Sequence, residues 1–169
     1  IEVLTPIEFT LTPDSRTICQ GDTVHLEAGV TGGSENYAYT WNPSLYLDSP
    51  SGPYKVVVPQ TSVQYNVMVH DIACPSFSLG HAFDVNVKKS PLPNIKFERE
   101  RGCAPLVQWY VNDTTAETGI TTLDFGGLLQ FQSDSALVEL KEPGEYTLKV
   151  ISKGRNGCTG TWQYPYPIV

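Results

Sequence analysis

Residues 7–11 read Ile-Glu-Phe-Thr-Leu, apolar and polar in strict alternation, and this two-residue period recurs through the chain. It is the period of a half-buried strand, because successive strand side chains point to opposite faces. Residues 23–30 place Val24, Leu26, Ala28 and Val30 on one face and His25 and Glu27 on the other. Tyr37, Tyr39 and Trp41 alternate up to Pro43, and residues 54–58 read as a further strand. Val63, Tyr65, Val67 and Val69 oppose Gln64, Asn66, Met68 and His70 in the cleanest alternation of this half. A last strand carries Phe83, Val85 and Val87. Gln20-Gly21-Asp22, residues 31–36 and residues 46–53 are turn-rich. About seven strands, with a turn every 8–12 residues or so and no amphipathic helix, predict an antiparallel β-sandwich.

The pattern then restarts. Ile95 and Phe97 share a face, and residues 106–112 form a strand with large residues on both sides. Leu106 and Tyr110 lie on one side, and Val107, Trp109 and Val111 on the other. Residues 120–125, 136–140 and the alternation Tyr146, Leu148, Val150 follow. Trp162, Tyr164 and Tyr166 close the chain, interleaved with Gln163, Pro165 and Pro167. Prolines at that spacing confine the segment to a sheet edge or an exit arm.

Between the two runs lies Lys-Lys-Ser-Pro-Leu-Pro-Asn, residues 88–94. Its two prolines cannot donate to a sheet ladder and bias the backbone toward polyproline conformation. It reads as a linker between a domain at 1–89 and a domain at 94–169. Cys19 and Cys74 lie 55 residues apart on one side of it, and Cys103 and Cys158 lie 55 residues apart on the other. The repeated interval suggests one architecture used twice. Four cysteines allow three pairings. Separate cores favour Cys19–Cys74 and Cys103–Cys158, each tying strand ends within its own half. Such bridges place the chain in an oxidising compartment, outside the cell or at its surface.

Thirteen prolines, fourteen glycines and a single methionine among 169 residues suit many short strands. A net charge of −7 repels phosphate backbones and argues against nucleic acid as a partner. No apolar run approaches the ~20 residues that span a bilayer, so no membrane insertion is expected. The chain begins at Ile1 without an initiator methionine and reads as a mature product or a piece of something longer.

Catalytic chemistry is hard to place. The sequence holds no Gly-x-Ser-x-Gly elbow, Cys-x-x-Cys, His-Glu-x-x-His, phosphate loop or EF-hand loop. His25 and His70 fall on polar strand faces. His70 and Asp71 are neighbours on a strand and point apart, so they read as two surface residues. Asp48, Asp71, Asp113 and Asp124 sit near loops but form no spaced set, so neither metal nor cofactor is expected. Tyr37, Tyr39, Trp41 and Tyr65 read as core. Trp162, Tyr164 and Tyr166 are the better candidates for stacking a ligand such as a sugar.

Gly102-Cys103-Ala104-Pro105-Leu106-Val107, Asp124-Phe125-Gly126, Pro143-Gly144-Glu145-Tyr146-Thr147-Leu148 and Asn156-Gly157-Cys158 resemble a PKD domain. The style is that of large surface proteins of gliding, type IX-secreting Bacteroidetes. The first half is similar to Ig/PKD-like repeats of the same adhesins, through Ile18-Cys19-Gln20-Gly21-Asp22, Val30-Thr31-Gly32-Gly33, Tyr39-Thr40-Trp41-Asn42-Pro43 and Tyr65-Asn66-Val67. One departure is plain. Family members read Trp-Asp-Phe-Gly-Asp-Gly at the central strand, where this chain has Leu123-Asp124-Phe125-Gly126-Gly127-Leu128. The resemblance also implies O-glycosylation at the short Asp-Ser/Thr-aliphatic signal, which Thr23, Thr114 and Ser135 match.

The sequence is therefore read as two tandem Ig-like/PKD-like antiparallel β-sandwiches, all-β and non-enzymatic. They would act as spacer, presentation or adhesion domains of a secreted or cell-surface protein, exported across the outer membrane. The chain is expected to be a monomer beside further repeats, with a surface polysaccharide or a protein as ligand. The alternative is a carbohydrate-binding or accessory module of a secreted polysaccharide-degrading enzyme.

Overall fold

The computed structural model describes residues 3–12, 15–113, 118–127 and 129–164. Every regular element among them is a strand. The chain divides into two compact units, Ile1–Lys88 and Lys89–Val169.

The first unit contains β1 (Glu8–Thr12), β2 (Ser15–Cys19), β3 (Val24–Thr31), β4 (Tyr37–Asn42), β5 (Tyr54–Val57), β6 (Val63–Asp71) and β7 (Ser78–Lys88). They form a three-stranded sheet, β1-β3-β5, and a four-stranded sheet, β2-β7-β6-β4. Leu26 and Val57 of the first sheet meet Trp41, Tyr65, Val67, Phe83 and Val85 of the second in one core. These are the inward positions of the alternations read above. β6 follows the pattern to its last residue, burying Tyr65, Val67, Val69 and Asp71 in turn. Tyr65 and Trp41 bring polar atoms into the core, and both are satisfied. The Tyr65 hydroxyl donates to the Leu45 carbonyl at 2.7 Å, and Trp41 Nε1 donates to the Gly52 carbonyl at 2.9 Å. Burial, reinforced by nearby Tyr46, pushes the Tyr65 phenol up to about 12. β2 has no counterpart in the alternation. It reads Ser-Arg-Thr-Ile-Cys and pairs parallel to β7 along the sheet edge, so only Ile18 need be apolar.

The second unit contains β8 (Ile95–Phe97), β9 (Leu106–Asn112), β10 (Thr118–Phe125), β11 (Gln130–Gln132), β12 (Ser135–Leu140), β13 (Leu148–Gly154) and β14 (Thr159–Gln163). The sheets are β12-β9-β8 and β11-β10-β13-β14, with every pairing antiparallel. Leu106, Tyr110, Leu123, Phe125, Val138, Leu148 and Val150 form the core between them. The Tyr110 ring meets Phe125 edge-on, with centroids 4.8 Å apart.

The proline segment read as a linker takes part in the packing of this second unit. Asn156 Nδ2 donates to the Lys89 carbonyl at 2.9 Å. The Asn94 amide donates to Asn112 Oδ1 at 2.9 Å. Between these anchors the Pro91 backbone lies against buried Gly160 on β14, where a Cβ would sit 1.8 Å from the Pro91 carbonyl oxygen.

Candidate functional site

The most concentrated polar chemistry in the first unit surrounds Asp71. The strand period carries this residue inward at the end of β6, so its carboxylate is buried while His70 is exposed. The two point apart, as expected, but Asp71 is not a surface residue. It has the same parity as Val67 and Val69, and the alternation that buries them buries it too.

Burial of a carboxylate needs donors, and the chain supplies four. The Ser34 amide donates to Oδ2 at 2.5 Å, and the Ser34 hydroxyl to Oδ1 at 2.7 Å. The amides of Ala73 and Cys74 donate to Oδ1 at 2.8 and 2.9 Å. One carboxylate thus holds the β3–β4 loop against the β6–β7 turn. Gly33 completes the arrangement. Its φ is +61°, and a Cβ there would fall 2.1 Å from Asp71 Oδ2. The Ser34 amide above all, then the Ser34 hydroxyl and the two turn amides, hold the carboxyl below its ordinary value, against the opposing effect of desolvation.

A depressed carboxylate contributes stability above its unfolded value, near 4, and loses it as pH falls through the folded one. The first unit is therefore expected to melt progressively lower as pH drops below about 4. Asp71→Asn should lower its melting temperature at neutral pH by roughly 5 °C or more and flatten that acid dependence. Thermal melts of both proteins from neutral pH to about pH 2 check it. Parallel curves would remove Asp71 from the account.

The second unit uses polar side chains between its sheets. Asn112 on β9 donates through Nδ2 to Thr121 Oγ1 on β10 at 2.9 Å, and Thr121 lies 3.5 Å from Ser152 Oγ on β13. All three residues are buried. Gln108, also on β9, accepts from the Arg99 amide at 3.0 Å and donates to the Arg99 carbonyl at 2.9 Å and to the Tyr110 hydroxyl at 2.6 Å. Sequence reading missed this network. Its signal was the parity of Gln108 and Asn112 with Leu106 and Tyr110. These groups bind the sheets and the β8–β9 connection to one another.

The cysteines differ from the expected pairing. Cys19 and Cys158 are disulfide-bonded, whereas Cys74 and Cys103 carry free thiols. Neither Cys19–Cys74 nor Cys103–Cys158 forms. Topology explains why. Cys19 aligns with Lys88 at one end of β7, while Cys74 lies in the turn before the other end. Eleven residues of β7 separate those ends, roughly 30 Å at strand rise, against the ~4.4–6.8 Å that a disulfide permits between Cα atoms. In the second unit Cys103 lies beside the turn that precedes β13, and Cys158 lies in the turn that follows it. Titration of the native protein should find two thiols per chain, Cys103 reacting fast because it is exposed and half-buried Cys74 slowly. Four reactive thiols, or none, would contradict this.

The other predicted positions are dispersed. Trp162 and Tyr164 pack against the second core, with rings 5.5 Å apart, and Tyr164 also meets Phe97 at 5.0 Å. The Tyr164 hydroxyl is bonded to Glu100. Both aromatics are thus engaged as packing residues, and Tyr166 lies outside the described residues. Thr23 and Ser135 are exposed, and Thr114 lies outside the described residues. His25 and His81 are exposed, the latter stacked with Phe9 at 5.7 Å. Asp48 pairs with Lys55 at 3.7 Å, Asp113 pairs with Lys96, and Asp124 Oδ1 accepts from the Gly127 amide at 2.7 Å. Among the described residues no three His, Cys, Asp or Glu side chains gather as a metal site. No helix among them is long and apolar enough to cross a membrane. A recess of about 220 Å³ lies beside Cys103, lined by Leu106, Leu140, Pro143 and Tyr146.

In each unit, then, a three-stranded and a four-stranded sheet enclose one core, as in immunoglobulin-type sandwiches. Both units are Ig-like β-sandwiches. No family model matches the chain, and no curated protein matches it. Solved structures do. The titin domains z1z2, solved in complex with telethonin, are 15% identical, covering 94% of this chain and 94% of that one, with a TM-score of 0.43. Sidekick-1 immunoglobulin domains 1–5 are 10% identical, covering 96% of this chain and 38% of that one, with a TM-score of 0.48. Fibronectin(III)-like modules of Clostridium thermocellum CbhA are 12% identical, covering 93% and 90%, with a TM-score of 0.37. At such identities the likeness concerns the fold alone.

Proposed function

We propose that this chain is a non-enzymatic pair of sandwich domains, each folding on its own core, from a secreted or cell-surface protein, where it spaces, presents or adheres. The observation that carries this reading is how the buried polar side chains are used. Asp71 ties two loops together, Asn112, Thr121 and Ser152 join two sheets, and Gln108 holds the β8–β9 connection. In each case the donors and acceptors engage one another rather than converge on a cleft where a substrate could meet them. The disulfide-bonded cysteines support an oxidising location. The resemblance to PKD and Ig/PKD-like repeats supports a narrower setting, a type IX-secreted surface adhesin of a gliding Bacteroidetes cell, with further repeats beside it and exposed Thr23 and Ser135 as glycan attachment points.

Purified chain incubated with chromogenic esters, glycosides, phosphate esters and peptides should turn over none of them. Turnover that co-purifies with the chain and falls on substitution of one of its residues would overturn the proposal.

A further inference from the structure

The sheet β12-β9-β8 has one face on the core, and its other face is apolar as well. On that outer face Trp109 is 53% exposed, Val107 51%, Val111 39% and Leu137 52%. Trp109 lies directly opposite Leu137, Val111 opposite Ser135 and Lys96, and Val107 opposite Glu139. The four apolar side chains therefore form one patch. A strand apolar on both faces is the pattern of a strand covered on both.

The fold does not require it. In the first unit the matching sheet, β1-β3-β5, has β3 at its centre. β3 turns His25, Glu27, Gly29 and Thr31 outward, all polar or small. The edge strand β5 there does expose Tyr54 and Val56, but Tyr54 lies directly opposite the charged Glu27. An apolar centre is thus particular to the second unit.

We propose that this face docks on the same face of a second copy of the chain. The charges around it are the reason for choosing that occupant. Lys96 and Glu139 flank the patch at opposite corners, Lys96 level with Val111 on β8 and Glu139 level with Val107 on β12. Trp109 lies between them. A two-fold axis through Trp109, in the plane of the contact and perpendicular to that diagonal, sets Lys96 of each copy over Glu139 of the other. It also stacks the two Trp109 rings and crosses the strands steeply, as in orthogonal sheet packing. Each corner charge already has a neighbour of opposite sign, Asp113 for Lys96 and Lys141 for Glu139. The face is therefore locally neutral on a chain of net charge −7, whose surface otherwise repels its own copy.

The patch is small. Four half-exposed side chains present roughly 300–400 Å², below the roughly 800 Å² per partner of stable complexes. The contact is weak, with a Kd of roughly 0.1–1 mM, and becomes effective where copies are crowded on one surface. At micromolar concentration the chain is a monomer.

Sedimentation of the whole chain from about 10 µM to about 1 mM tests this. Self-association is expected at the upper end, and Trp109→Glu should weaken it at least ~10-fold while leaving the melting temperature within roughly 2 °C, because the side chain is exposed. Lys96→Glu should weaken it too, and Lys96→Glu with Glu139→Lys should restore it, which only a mutual contact of these residues explains. A monomer throughout, or self-association indifferent to Trp109→Glu, overturns the proposal. Binding of a neutral polysaccharide that is lost on Trp109→Glu, without self-association, overturns it as well and assigns the face to a glycan.

Discussion

Gly160→Ala should destabilise the second unit by about 3 kcal/mol. The new Cβ would meet the Pro91 carbonyl oxygen at 1.8 Å and its carbonyl carbon at 2.9 Å. Both are backbone atoms, so no side chain can rotate away. The segment cannot readily retreat, since Asn156 holds Lys89 on one side and the Asn94 amide is bonded to Asn112 on the other. Either β14 leaves its place beside β13 or the proline segment lifts off it. Gly144→Ala is the control, for a Cβ there meets nothing within 4 Å, and its effect should stay within about 0.5 kcal/mol. Urea unfolding followed by the fluorescence of Trp109 and Trp162, both in the second unit, distinguishes the two variants. Equal midpoints would mean that Pro91 does not pack on β14.

Trp41→Ala is the matching experiment in the first unit. Trp41 is 2% exposed at the centre of the core and its indole N–H is bonded to Gly52. Removal of a buried aromatic of this size costs about 3–5 kcal/mol, a large share of the ~5–15 kcal/mol that holds a small domain together. The Gly52 carbonyl would also lose its donor. The unfolding transition of the first unit should fall by about 12 °C or more. The Trp109 and Trp162 signal should keep its own transition if, as proposed, each unit folds on its own core. A shift below about 1 kcal/mol would show that the pocket around Trp41 closes without it.

Strands with one buried face were legible in the sequence, because burial writes a two-residue period into them. β6, β9 and β12 follow it residue by residue, β3 follows it from Val24 to Ala28, and β4 shows it only around buried Trp41. β2 and β11 were missed for a shared reason. Each is a short edge strand, and Ser-Arg-Thr-Ile-Cys and Gln-Phe-Gln bury too little to leave a pattern. The cysteine pairing failed because spacing along the chain carries no record of which end of a sheet a turn occupies. The opposite ends of β7 and of β13 decide it. Asp71 was misjudged by residue type. Its parity placed it inside, and the donors that make a buried carboxylate tolerable come from Ser34, distant in sequence, and from a turn that only the folded chain forms. Trp109 and its neighbours were visible as large residues on both faces of β9, but which of those faces meets the core was not.

The proposed role turns on where the chain resides. Intact host cells should be treated with a membrane-impermeant lysine reagent, and the chain then recovered under denaturing alkylation without reductant. A secreted or surface module should carry the label without prior lysis and should show two alkylated cysteines, Cys74 and Cys103, with Cys19 and Cys158 protected. Label acquired only after lysis, with all four cysteines alkylated, would contradict the account.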